Sequence, residues 1–336
     1  MSDNIRLVQL IHSEYGRAVA MVQEPSLVVI TDYRSVYDIA LAAMAQQEKL
    51  TDFVRKNLSD RTLAYDPIYA GLDAWKLLPA FDCPDNPLHC LVAGTGLTHK
   101  NSALNRQMMH KSEDQKLTDS MVMYQWGVEN GFPEQGSIGV QPEWFYKGNG
   151  SVLRAHGETL QVPAFGNDGG EEPEIAGIYV VDPNGKPWRI GFATGNEFSD
   201  HVMEKKNYLY LAPSKLRQCS IGPELVLDSG FTDISGTVKV SDANGTIWSS
   251  DIKTGEKNMA HSLENLEYHH FKYPGHRIPT QGQVHFFGAD AFSFGNNITL
   301  KEADVMEVQW NGMGRALQNP LSVSRDLEKI TTVSQL

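Results

Sequence analysis

The stretch GEEPEIAGIYVVD, residues 170–182, sets two carboxylates, Glu172 and Glu174, two positions apart in front of an apolar run. In an extended chain, residues two apart project to one face, so the pair converges if a strand begins here. Pro173 supports this, because it drives Glu172 out of the helical region and suits a strand start or edge. Two like charges held together are costly unless one is protonated or a cation lies between them. Carboxylate oxygens suit hard divalent ions, so the pair reads as candidate ligands for Mg²⁺, with Mn²⁺ also compatible. The same letters also suit an acidic, solvated turn.

The next chemistry-bearing stretch is ATGNEFSDHVMEKKNYLYLAPSKLRQCSIGPEL, residues 193–225. Glu197 and Asp200 follow a strand-like run, and Lys215 sits in a turn flanked by Pro213 and Ser214. Taken alone, SKLR is a solvated basic turn. Three histidines in EYHHFKYPGH, His269, His270 and His276, read instead as the end of a helix whose Leu263, Leu266 and Phe271 face the core, since adjacent histidines point apart. GTGLTH lacks the third glycine of a dinucleotide fingerprint.

The elements that must position these residues divide at a proline-rich segment near residue 82. Residues 5–32 predict a few small strands, and from Ser35 apolar residues recur at helical spacing with Ser35 as N-cap, predicting a helix pair or one long helix. Beyond LLPAFDCPDNPLHC, strand-like runs dominate, separated by turns such as PNGK (183–186) and DANG (242–245), the latter a hairpin signal. Helical interruptions are expected at about 101–129 and 258–273. The expected fold class is therefore α+β, mainly β, with a small α/β N-terminal domain (1–82) and a larger domain with packed helices (83–336).

Composition narrows the function classes. The 336 residues carry 41 acidic and 29 basic side chains, a net charge of −12, with no Lys/Arg-rich run, so nucleic acid is not an expected partner. The first thirty residues break their apolar positions with charges and offer neither a secretory core nor a membrane span, which predicts a cytoplasmic protein with no membrane partner. Cys83, Cys90 and Cys219, odd in number and without a CxxC pair, read as reduced packing residues.

Taken together, these segments resemble the fumarylacetoacetate hydrolase (FAH) superfamily. Its E-x-E pair, N-D-x-S-x-R-D stretch and G-K-S…G-P stretch are matched in order by Glu172-Pro173-Glu174, by Asn196-Glu197-Phe198-Ser199-Asp200-His201, and by Ser214-Lys215 followed by Gly222-Pro223. LVAGTGLTHKNSALNR (91–106), PEWFYKGNGS (142–151) and ITLKEADVMEVQWNGMGRALQNPL (298–321) are similar to further family segments, so the resemblance covers most of residues 86–320. The wording FGNDGGEEPE, GNEFSDH and EYHHFKY is most similar to a bacterial branch associated with sugar-acid catabolism, related to 2-keto-3-deoxy sugar-acid dehydratases.

The resemblance implies an FAH-like β-roll or sandwich catalytic domain and a homodimer. It implies that Glu172, Glu174 and Glu197 ligate one Mg²⁺, with Glu197 standing where the family usually has Asp, and that Lys215 is the active-site lysine. Family members that activate water use a His and a Glu three residues later; in register those positions are Ser102 and Asn105, neither of which titrates near neutral pH. His99 lies three residues earlier as a catalytic substitute. The family's G-T-P is Gly288-Ala289-Asp290 here, so a substrate carboxylate must be gripped elsewhere; Lys147 and Arg106, with Ser102 nearby, are the candidate substrate-binding residues.

A divalent ion chelated by the carboxylate and keto oxygens of a 2-oxo acid stabilises the enolate formed when a C3 proton leaves. Elimination of the C4 hydroxyl then needs only a base near C3, for which Lys215 serves if the ion and burial lower its pKa. These readings predict a dehydratase acting on a small anionic 2-keto-3-deoxy sugar acid, a pentonate that yields 2-oxoglutarate semialdehyde. The alternatives are a 2,4-diketo acid C–C hydrolase recruiting His99 or Glu143 as base, and a non-catalytic sugar-acid binding protein.

Overall fold

The computed structural model describes residues 4–110 and 117–336. Strands β1 (Arg6–His12), β2 (Gly16–Gln23) and β3 (Ser26–Ile30) open the chain. The helical run from Ser35 resolves into a pair, α1 (Val36–Ala45) and α2 (Leu50–Lys56), and Ser35 caps α1 with its Oγ accepting from Asp38 N at 3.0 Å. β4 (Leu58–Ala64), the short helix α3 (Tyr65–Tyr69) and β5 (Lys76–Leu77) follow.

Next come β6 (Cys90–Gly94), α4 (Lys100–His110), α5 (Asp119–Asn130), β7 (Phe145–Asn149), β8 (Leu153–Arg154) and β9 (Leu160–Val162). The helical stretch expected at 101–129 is thus α4 and α5, with 111–116 outside the described residues. The long central strands are β10 (Pro173–Val181) and β11 (Pro187–Asn196), then α6 (His201–Lys206), α7 (Leu211–Lys215) and β12 (Cys219–Val226). The chain ends on β13 (Ile234–Asp242), β14 (Gly245–Thr254), α8 (Leu263–Phe271), β15 (Gly282–Phe286), β16 (Val305–Trp310) and β17 (Leu317–Val323). Asp242 closes the predicted hairpin between β13 and β14, its Oδ1 accepting from Asn244 N and Gly245 N.

These strands form two sheets. The larger runs β4-β3-β2-β1-β12-β11-β10-β15-β6-β7, the smaller β14-β13-β16-β17-β9. β10 is buried along its whole length, which is why it reads as a nearly unbroken apolar run rather than an alternating one. One face, Ala176, Ile178 and Val180, packs with Val36, Ile39 and Phe53 of the α1–α2 pair. The other, Ile175 and Tyr179, packs with Val238, Val308 and Trp310 of the smaller sheet and with Leu263, Leu266 and Phe271 of α8. Those three α8 residues face the core as expected, and all three cysteines are free and buried. Among the described residues no helix is long and apolar enough to cross a membrane.

The N-terminal strands join the larger sheet where β1 meets β12, Arg6 opposite Val226 and Leu7 opposite Leu225. Behind that junction lies a buried carboxylate, Glu224, which accepts from Arg6 Nη1 at 2.8 Å, Tyr65 OH at 3.0 Å and Arg315 N at 3.1 Å. The Arg315 guanidinium covers the Tyr65 ring, 3.9 Å from its centroid. Gly314 has φ +82°, and a Cβ there would come within 2.3 Å of Glu224 Oε2, so this turn needs glycine for both conformation and space. Tyr65→Phe keeps the ring under Arg315 and removes only the hydroxyl. It is expected to lower the unfolding free energy by about 1.5–3 kcal/mol, the worth of a hydrogen bond to a charged group, read as a shift in the urea midpoint.

Candidate metal centre

The register of β10 on β11 builds the site. Pro173 pairs with Asn196 and Glu174 with Gly195, and the ladder continues one step further as Glu197 N donates to Glu172 O at 3.0 Å. Glu172 and Glu197 therefore stand opposite each other across the two strands, and Glu174 lies two residues along the same face. Carboxylate oxygens of all three lie within 4.8 Å of one another, and all three residues are buried. The solvated-turn alternative for GEEPE is thereby excluded. Glu171, on the opposite face, turns away and holds Ser293, accepting from its N at 2.6 Å and its Oγ at 2.8 Å.

Two buried ammonium groups meet this cluster. Lys215, the last residue of α7, donates to Glu172 Oε1 at 2.5 Å, Glu197 Oε2 at 2.6 Å and Ser199 Oγ at 3.0 Å, and lies over the Phe145 ring. Lys147, from β7, pairs with Glu197 Oε1 at 2.5 Å and donates to the Phe198 carbonyl. Glu174 Oε2 accepts from Gly288 N at 2.6 Å, and its backbone oxygen accepts from Trp310 Nε1 at 2.9 Å.

The electrostatics follow from burial and neighbours. Burial pushes Glu174 up, and repulsion from Glu197 and Glu172 adds to it, holding its carboxyl well above the usual range. Burial acts on Glu172 in the same sense, but Lys215 and His201 outweigh it and keep Glu172 well below. Burial lowers Lys147, and Glu197 only partly restores it. At Lys215 burial also opposes the charge, yet Glu172 and Glu197 prevail and raise it above its ordinary value, the reverse of the lowering that a lysine base needs. A proton favoured on Glu174 and the two lysines beside Glu172 and Glu197 thus answer the repulsion among the three carboxylates. All-oxygen donors and three buried carboxylates fit a hard divalent ion.

The contacts of the remaining candidates lie with other residues. Arg106 is buried on α4 and satisfied by carboxylates, with Nη1 2.8 Å from both oxygens of Glu143 and Nε 2.6 Å from Glu204. Glu143 also accepts from Tyr208 OH at 3.1 Å. Ser102 lies half-buried on the same helix, and Asn105 packs against Gly295. His99 is buried beside Thr98 Oγ1 (2.9 Å) and Thr254 Oγ1 (3.1 Å), and burial pushes its pKa down to about 3. Gly288, with φ +95°, leaves room for Thr98, whose Oγ1 a Cβ at 288 would meet at 2.1 Å; Asp290 accepts from Asn101 Nδ2 and Lys253 N.

Sequence reasoning assigned no role to His201, although GNEFSDH contains it. Its Nε2 lies 3.0 Å from Glu172 Oε1. The proximity to Glu197 in that motif was its only signal.

No family model matches the sequence, and no curated protein matches it. Solved structures do. A 2-keto-3-deoxy-D-arabinonate dehydratase in its apo form superposes with TM-score 0.70 at 17% identity, over 96% of this chain and 100% of that one. The same dehydratase complexed with magnesium and 2,5-dioxopentanoate gives the same values. A 2-hydroxyhepta-2,4-diene-1,7-dioate isomerase from Mycobacterium marinum superposes with TM-score 0.59 at 14% identity, over 96% of this chain and 100% of that one. The fold is thus the FAH-like α+β fold that the motif order implied.

His99 gives a measurable pH signature. In the unfolded chain it titrates near the ordinary value of about 6.5, whereas folded it stays neutral to about pH 3, so stability is present above pH 6.5 and falls as pH drops below it. Between pH 7 and pH 5 this one group removes about 2 kcal/mol, and His99→Gln is expected to shrink the loss in urea-determined stability over that interval by about that amount.

Proposed function

We propose that this chain is an FAH-superfamily enzyme, a divalent-metal-dependent dehydratase of a 2-keto-3-deoxy sugar acid. The observation that carries this reading is the convergence of Glu172, Glu174 and Glu197 around one point, with Lys215 Nζ between two of them. Glu172, Glu174 and Glu197 would hold Mg²⁺, the ion bound in the superposed dehydratase complex. When bound, such an ion would polarise the carboxylate and keto oxygens of a 2-oxo acid, acidify C3, and offset the carboxylate charge that keeps Lys215 protonated.

The chain's own residues supply the rest. In this reading Lys215, neutral once the ion offsets the charge of its carboxylate partners, takes the C3 proton and returns it to the departing C4 hydroxyl. Phe145, under the Lys215 ammonium, keeps water from that side. For a pentonate, the C3–H and C4–O bonds break, C3=C4 forms and one water leaves. Shift of the double bond toward C5 then gives the terminal aldehyde, 2-oxoglutarate semialdehyde, which is 2,5-dioxopentanoate, the ligand of the superposed complex.

The hydrolytic alternative finds less support, because water activation needs a free base. His99 is spent on two threonines and Glu143 on Arg106 and Tyr208. Incubation of the protein and Mg²⁺ with a 2-keto-3-deoxypentonate is expected to give a product lighter by one water in the mass spectrum. Release of two acids from a 2,4-diketo acid instead would overturn the dehydratase reading, and binding without turnover would favour a sugar-acid binding protein. Glu174→Gln is expected to cost at least about a hundredfold in kcat through the lost ion. Because Glu174 already favours its protonated form without the ion, the melting temperature of the metal-free variant should stay near that of the parent.

A further inference from the structure

We infer that His201 is a positioning residue that fixes the carboxylate of Glu172 for the divalent ion, and that Glu171, Phe292, Ser293 and Phe294 form a clamp that fixes His201. The inference rests on the reading of Glu172, Glu174 and Glu197 as metal ligands.

His201 opens α6 and is buried. Its backbone is held because Asp200 caps that helix, Oδ1 accepting from Met203 N at 2.8 Å, while Arg217 Nη2 secures Asp200 Oδ2 at 2.9 Å. Two aromatic rings hold the imidazole. It stacks on Phe292 with centroids 4.9 Å apart and planes 3° from parallel, and on Phe294 at 5.1 Å and 22°. At the imidazole edge, Nε2 meets Glu172 Oε1 at 3.0 Å. A carboxylate oxygen is the acceptor of such a contact, so Nε2 carries the proton and donates.

The other nitrogen, Nδ1, is buried without a hydrogen-bond partner among the described residues and faces Gly170, where a Cβ would come within 2.7 Å of it. The ring therefore spends its one polar contact on Glu172. Lys215 grips Glu172 and Glu197 together, whereas the carboxylate of the trio that His201 touches is Glu172. The clamp is tied back to the same strand. Glu171, next to Glu172 in sequence but on the other face, accepts from both N and Oγ of Ser293, which sits between the two phenylalanines. A histidine that donates to a metal-binding carboxylate sets which way the free lone pairs point, and such partners are worth about 10–100-fold in metal affinity.

The test is calorimetric titration of the metal-free protein with MgCl₂, without substrate, for the parent and for His201→Ala, His201→Gln and His201→Asn. A glutamine amide reaches the position of Nε2, and an asparagine amide only that of Nδ1. His201→Ala and His201→Asn are expected to weaken Mg²⁺ binding about 10–100-fold, and His201→Gln to stay within about threefold of the parent. A merely structural role would not separate Gln from Asn, so equal Mg²⁺ affinities for those two overturn the inference even if His201→Ala fails to fold. Affinities equal to the parent's in every variant overturn it while leaving the metal reading intact. A parent that binds no Mg²⁺ overturns both.

Discussion

Three carboxylates taken out of water at one point of a β-sheet are the constraint around which the rest is arranged. Burial raises the cost of each charge, and their mutual repulsion raises it further, so the fold supplies compensation from every side: ammonium groups from Lys147 and Lys215, an imidazole N–H from His201, a backbone N–H from Gly288. Breaking one such pair strands a buried charge, which explains why the surroundings are so fully committed. Even Arg106, at the edge of the centre, is neutralised by Glu143 and Glu204.

The scaffold suits this load because it is rigid where the charges sit. β10 and β11 lie in the middle of the larger sheet, packed against α1 and α2 on one face and against the smaller sheet and α8 on the other. The cations come from elements distant in sequence, β7 and α7. The carboxylates are thus fixed by strand register, and the groups that answer them by tertiary packing.

That division also explains what could be read from the letters alone. Local features were legible because local chemistry sets them: the Ser35 cap, the Asp242 turn, the two-residue spacing of Glu172 and Glu174. Glu197 and Lys215 were visible as letters but gained their roles only through resemblance to a family, since nothing in the chain says that β10 pairs with β11 so that residue 197 faces residue 172. The partners of His99, Arg106 and Lys147 were hidden for the same reason. So was the junction of residue 6 with residue 226, a pairing that spans most of the chain. His201 was visible as a letter, but its role depends on rings at 292 and 294.

The alternation of Glu171 and Glu172 carries an evolutionary consequence. The two neighbours have the same side chain and opposite duties, one tethering a loop and the other facing the centre, and only parity along the strand distinguishes them. A change of side-chain length, such as Glu for Asp at 197, leaves that parity untouched. Insertion of a single residue between 173 and 174 exchanges the duties and points Pro173 inward in place of a carboxylate. This segment can therefore drift by substitution, but not by change of length.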